Sequence, residues 1–210
     1  NLVMYDWLHL HHEDFTGQFG KFWRVYRNAQ WYKEDVKMQL EMANALGLSK
    51  VSDLKLAVVQ AIKSYVAAGG FLFAMCSAPD SFDVALAASD VDICMEMFDG
   101  QNKLNFDNCL AFTNFKISTN PYEYAISNID VTHSRQIKEQ NDYFVLFEFS
   151  AKWDPVPTML CQNHERIIKG FMGQSTAFRK STIKPNVLVM GENKSIGEVK
   201  YIHGEFGEGT

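Results

Sequence analysis

Along the chain, apolar residues switch between helical spacing and short unbroken runs. From Lys33 to Leu46, Val36, Leu40, Ala43 and Leu46 recur on one face and Gly47 stops the run, which predicts an amphipathic helix. A second helix is predicted from Ser52 to Ala68. Leu54, Val58, Ala61, Ile62, Tyr65 and Val66 hold its period, Ser52 serves as N-cap, and Gly69-Gly70 ends it. Phe71-Leu72-Phe73-Ala74-Met75 is then a continuous apolar run, of the kind that fills the centre of a parallel sheet. Cys76-Ser77-Ala78-Pro79-Asp80 bounds it. Pro79 and Asp80 suit the first turn of a helix that Phe82 to Ala88 continues. Helix, Gly-Gly, buried strand, sharp turn and helix make the αβα unit of a doubly wound fold.

The flanks are less regular. Tyr5 to His11 reads as a short strand, and His12 to Trp31 as a polar and aromatic loop. From Asp90 to Phe149 the pattern predicts strands at Ile93–Phe98, Leu110–Ile117 and Tyr143–Phe149, with a short helix near Tyr122–Ile126. Glu165 to Phe178 fits helix or loop. Asn186–Met190 and Glu198–His203 read as strands joined by a turn around Asn193 to Gly197. The expected organisation is one α/β domain over residues 1–210, with an irregular β-rich insertion at about 90–149. The first residues read as mid-strand and Gly207 to Thr210 as a turn into another strand, so the sequence is expected to be a piece of a longer protein.

Composition narrows the partners. A net charge of −5 argues against nucleic acid or an anionic membrane surface, both of which need a basic face. The basic residues are scattered, the densest group being Arg179, Lys180 and Lys184. The longest apolar stretch, Val66 to Ala78, is interrupted by Gly69 and Gly70 and falls short of the roughly 18 residues of a membrane span. The four cysteines, Cys76, Cys94, Cys109 and Cys161, form no C-x-x-C pair, so neither a zinc ribbon nor a thioredoxin-type redox motif is present. There is no G-x-G-x-x-G and no P-loop, and no organic cofactor is expected.

The segment Gly69-Gly70-Phe71-Leu72-Phe73-Ala74-Met75-Cys76-Ser77-Ala78 resembles the nucleophile elbow of the class I glutamine amidotransferase-like superfamily. A cysteine on such a turn needs small residues two positions to either side, and here these are Ala74 and Ala78. The helix start beyond the turn can stabilise a thiolate. The whole chain, through Trp7 to Gln18 and the Cys76 elbow, is similar to bacterial proteins, mostly from the Bacteroidetes, often labelled asparagine synthetase B. Asn1 stands first in this chain, where a glutamine-dependent asparagine synthetase has its cysteine nucleophile. The ATP-binding Ser-Gly-Gly-x-Asp-Ser loop of that enzyme is absent. The resemblance implies a flavodoxin-like three-layer sandwich with a mostly parallel central sheet, and a periplasmic or otherwise exported location, with a cytoplasmic one as alternative. It implies Cys76 as catalytic nucleophile and His203, with Glu205, as its partners in a His-x-Glu match. In relatives with looser motifs a Gly-x-Gly-Thr turn leads into a last strand ending in the histidine. By that alignment Gly207 to Thr210 is the turn, and the partner lies past Thr210.

The second chemical feature is His9, His11, His12, Glu13 and Asp14. On a strand His9 and His11 share a face and His12 takes the other. Imidazoles and carboxylates are competent zinc ligands, but this spacing matches no ligand signature, and no metal site is assigned. The loop is instead expected beside Cys76 at the sheet's carboxyl edge, with His11, His12, Glu13 and Ser77 as substrate-binding candidates. Phe15, Phe19, Phe22, Trp23, Tyr26, Trp31 and Tyr32 are expected to pack a core or a covered loop rather than line a pocket, and Cys94, Cys109 and Cys161 to be inert filling. Together these features predict a cysteine-dependent hydrolase or amidotransferase-like enzyme acting on a small-molecule amide or related carbonyl. The alternative is a non-catalytic binding or assembly module, for which a protein partner or a homo-oligomer stays open.

Overall fold

The computed structural model describes residues 1–11, 13–17, 25–91, 93, 104–118, 125–131, 143–146, 167–169 and 177–210. Its helices are α1 (Gln30–Ala45), α2 (Val51–Ala67) and α3 (Ala78–Ala87). Strand β1 (Trp7–Leu10) pairs in parallel with β2 (Phe71–Ala74), Trp7 lying opposite Phe71 and Leu10 opposite Ala74. The remaining strands are β3 (Tyr143–Leu146), β4 (Ile167–Lys169), β5 (Phe178–Arg179), β6 (Leu188–Asn193) and β7 (Glu198–His203). They form an antiparallel sheet in the order β4-β3-β6-β7-β5. Among the described residues no helix is long and apolar enough to cross a membrane.

The expected flavodoxin-like sandwich with a mostly parallel central sheet is therefore corrected: among the described residues the parallel sheet has two strands, and the five-stranded sheet is antiparallel. The reason lies in the links. Asn193 to Gly197 is too short for a parallel crossover, which needs a dozen residues or more, so β6 and β7 can only form a hairpin. The antiparallel sheet takes β3 from inside the 90–149 boundary and β4, β5, β6 and β7 from beyond it.

Leu110 to Ile117 is not a strand; its ladder pairing is limited to single bridges from Phe112 to Ile183 and from Ile117 to Ser127 among the described residues. Its amides are engaged elsewhere. The backbone N–H groups of Leu110, Ala111 and Phe112 all donate to the Asp83 carboxylate, at 2.8, 2.8 and 2.7 Å. Asn114, with φ 54°, then turns the chain out of extended geometry. Ile126 is not helical; the rest of the helix expected at Tyr122–Ile126, apart from Ala125, lies outside the described residues, as does most of the strand expected at Ile93–Phe98.

Asp83 sits on α3, a helix with both faces buried. One face, with Phe82, Ala85 and Leu86, packs against α2 and the parallel pair through Val59, Ile62 and Leu10. The other, with Val84 and Ala87, joins Phe112, Phe115, Ile129, Phe178 and Val199 in the core that reaches the antiparallel sheet. Burial pushes the Asp83 carboxyl upward in pKa, while the three N–H donors and the Lys184 ammonium pull it back. Both of its oxygens accept hydrogen bonds, so the ionised form is the one this geometry satisfies.

Replacing Asp83 by alanine leaves three N–H groups facing a hydrocarbon wall, and a loss of about 3–5 kcal/mol is expected, with Asp83→Asn intermediate because one accepting oxygen remains. Urea denaturation of the two variants measures this. A loss under about 1 kcal/mol for Asp83→Ala would show that the helix is held by its apolar faces alone.

Candidate functional site

The Phe71–Ala74 run ends in a turn in which Cys76 has φ 58°, the left-handed region that an L residue other than glycine rarely takes. Ser77 follows as the residue preceding α3, with no capping bond from its side chain, and Pro79 occupies the first helical turn. Met75 N–H donates to Leu10 carbonyl at 3.0 Å, carrying the parallel ladder one step beyond the strands. The turn at Cys76 and the exit of β1 at His11 are thus neighbours at the same carboxyl edge. Cys76 is half-buried, whereas Cys109 is buried and its thiol is pushed up in pKa, chiefly by that burial. Cys94 and Cys161 lie outside the described residues.

The loop leaving β1 is tied to α3 and lies beside α1. His11 N–H donates to Glu13 Oε2 at 2.6 Å, and Ser81 of α3 donates from Oγ to the Glu13 carbonyl at 2.8 Å. Asp14 accepts from the N–H and hydroxyl of Thr16, at 2.9 and 2.6 Å. Phe15 packs edge-on against Phe82 at 5.6 Å. Tyr32 of α1 is pushed up to about 12, mainly by burial and then by the nearby Asp14 and Asp35 carboxylates. His12 lies outside the described residues. On the outer face of the parallel pair, the rings of Trp7, His9 and His11 follow one another at 6.1 Å spacing, with Phe73 5.4 Å from His9. Among the described residues no three His, Cys, Asp or Glu side chains are grouped to hold a metal ion.

A cavity of about 180 Å³ runs beside β2 from Leu72 to Cys76, between α3 and the antiparallel sheet. Its wall is mostly apolar, and Lys200, Glu205 and Thr210 bring polar groups to it. Lys200 is itself paired with Glu198 at 3.0 Å. Gly204 and Glu205 line the cavity, whereas the His203 ring is held on Thr210. The Thr210 hydroxyl donates to the Gly204 carbonyl at 2.9 Å and lies 3.2 Å from Nδ1 and 3.4 Å from Nε2 of His203. Burial lowers the His203 pKa and Glu205 partly offsets this, which favours a neutral ring.

Thr210 is placed by the turn before it. Gly207, at φ 63°, lies so close to the end of α2 that a Cβ there would meet the Ala67 carbonyl oxygen at 2.5 Å. One on Gly209 would meet that of Val66 at 2.1 Å. Glu208 N–H donates to Ala67 carbonyl at 3.0 Å. Thr210 N–H then donates to Gly70 carbonyl at 3.2 Å, and Leu72 N–H to Thr210 carbonyl at 2.7 Å. This is the bond pattern of a parallel rung opposite Phe71. Nothing in the composition marks Thr210, Lys200 or Asp83 as neighbours of Cys76. The legible signal is the pair Asp80 and Asp83 inside an otherwise apolar helix.

Compared with family models, with curated proteins and with solved structures, the chain matches none.

The lowered His203 pKa has a consequence for stability. The unfolded ring takes up a proton near its ordinary ~6.5 before the folded one does, so this contribution is complete above about pH 6.5 and is lost as pH falls through it. Thermal melts between pH 5 and 8 are expected to show a steeper acid-side loss for the wild type than for His203→Gln. Parallel profiles would mean that the ring is as accessible to protons folded as unfolded.

Proposed function

We propose that this chain is a cysteine-dependent hydrolase or amidotransferase-like enzyme that acts on an amide or related carbonyl through Cys76. The observation that carries this reading is the left-handed Cys76 itself, between a strand and a helix and beside a cavity. Holding a non-glycine residue at positive φ costs on the order of 1 kcal/mol, and strained turns of this kind recur where a nucleophile has to be presented. The Cys76 thiolate attacks the carbonyl carbon, the C–N bond breaks, and the thiol proton ends on the departing amine. Water then cleaves the thioester, giving the acid and restoring the thiol. N–H groups at the start of α3 supply the oxyanion contact.

A non-catalytic binding module is favoured by one specific observation: among the described residues that line the cavity there is no imidazole. His203 enters as base only if its ring leaves Thr210. His11, His12, Glu13 and Ser77 keep their proposed role in binding substrate at the carboxyl edge.

Alkylation by iodoacetamide between pH 5 and 9 separates the two readings, with Cys76→Ser as the blank. An activated thiolate is expected to label Cys76 with an apparent pKa well below the ordinary ~8.5. Labelling no faster than a simple thiol would leave the binding module.

A further inference from the structure

The ring row on the outer face of β1 is set by the strand itself. Side chains two residues apart leave a strand on the same face, about 6.6 Å apart along it. His9 and His11 obey this, and their ring centres lie 6.1 Å apart with the planes inclined at 32°. Trp7 stacks on His9 at 6.1 Å, and Phe73, which lies opposite His9 in β2, is 5.4 Å from it. The His9 ring is thus braced by two aromatic neighbours. Just beyond β1, the Glu13 carboxylate accepts the His11 N–H at 2.6 Å and steadies the backbone that carries the second imidazole.

Two imidazoles held side by side on one strand make a chelate, since each neutral ring offers one nitrogen lone pair. An ion about 2.1 Å from one nitrogen of each ring holds the ring centres about 5 Å apart, about 1 Å nearer than they stand. Histidine χ2 is a broad torsion, so a turn of the His11 ring towards His9 covers that difference at little cost. We propose that His9 and His11 form a two-nitrogen site for a divalent late transition-metal ion, copper above nickel and zinc. Imidazole suits these ions, whereas calcium and magnesium take oxygen ligands. Copper leads because it heads the general order of divalent affinities at nitrogen sites. Among the described residues no third His, Cys, Asp or Glu joins the pair. The remaining coordination positions therefore go to water or to an oxygen ligand, and the ion is held reversibly. This inference goes beyond the Cys76 reading and holds whether or not that thiol is activated.

The test titrates the untagged chain with the chlorides of copper, nickel, zinc and calcium in turn, followed by calorimetry and tryptophan fluorescence. One Cu²⁺ per chain is expected, bound more tightly than Ni²⁺ or Zn²⁺, with no response to Ca²⁺. Bound Cu²⁺ quenches the neighbouring Trp7, so Trp7→Phe is expected to remove most of the quenching and to leave the heat of binding in place. His9→Phe and His11→Phe keep a ring in each position and remove its nitrogens. Each is expected to weaken Cu²⁺ binding about 100-fold, because the second ligand of a chelate acts at high effective concentration. Electron paramagnetic resonance of the frozen Cu²⁺ complex is expected to show two imidazole nitrogens in the wild type and one in either variant. Ion-free circular dichroism checks that both variants are folded, and His→Gln replaces any that is not. Absence of saturable Cu²⁺ binding overturns the proposal. So does binding that survives both substitutions, as at the amino terminus, or that depends on only one of the two histidines.

Discussion

A single buried carboxylate holds the two halves of this fold in register. Asp83 projects from a helix whose other positions are almost all apolar, and it gathers three consecutive amides of the segment that leads to the antiparallel sheet. Apolar packing alone is non-directional and would let α3 slide against that segment. Three charge-assisted bonds in a water-poor setting do not. Lys63 and Lys184 fasten the same stretch from outside, donating to the carbonyls of Asn108 and Cys109 at 2.6 and 2.5 Å. Because α3 follows directly on the Cys76 turn, whatever fixes the helix also fixes where the thiol sits.

The local elements around that turn were legible in the sequence because each rests on a short-range signal. Helical period and Gly-Gly punctuation place α2 within a residue of its observed bounds, Val51–Ala67, although Lys50 rather than Ser52 stands at its cap. The apolar run of β2 and the Pro79-Asp80 start of α3 are equally local. Sheet direction is not a property of a strand's own residues. Phe71 to Ala74 has the unbroken apolar pattern of a buried parallel strand, and it is parallel, but all four residues are only half-buried and among the described residues β1 is the strand it pairs with. The decisive clue to the other sheet was the short link from Asn193 to Gly197.

The site divides in the same way. Small residues around Cys76 signal a tight turn, and the turn is there. The Thr210 rung depends on contacts between segments far apart in the chain, namely Gly70 with Gly209 and Ala67 with Gly207. Glycine at these positions looks like ordinary turn composition until the backbone it must pass is known. Asp83 was legible as an anomaly in an apolar helix, without any indication of which amides it would meet.

The left-handed cysteine sets a condition on how sequences of this fold can drift. At φ 58° glycine would hold the turn more easily than cysteine, by on the order of 1 kcal/mol. Mutation that is filtered for folding alone should therefore wear the thiol away at this position faster than at a relaxed one such as Cys109. A lineage that keeps Cys76 does so against the gradient of its own stability, and one that has let it go to glycine or asparagine has ceased to need the sulfur.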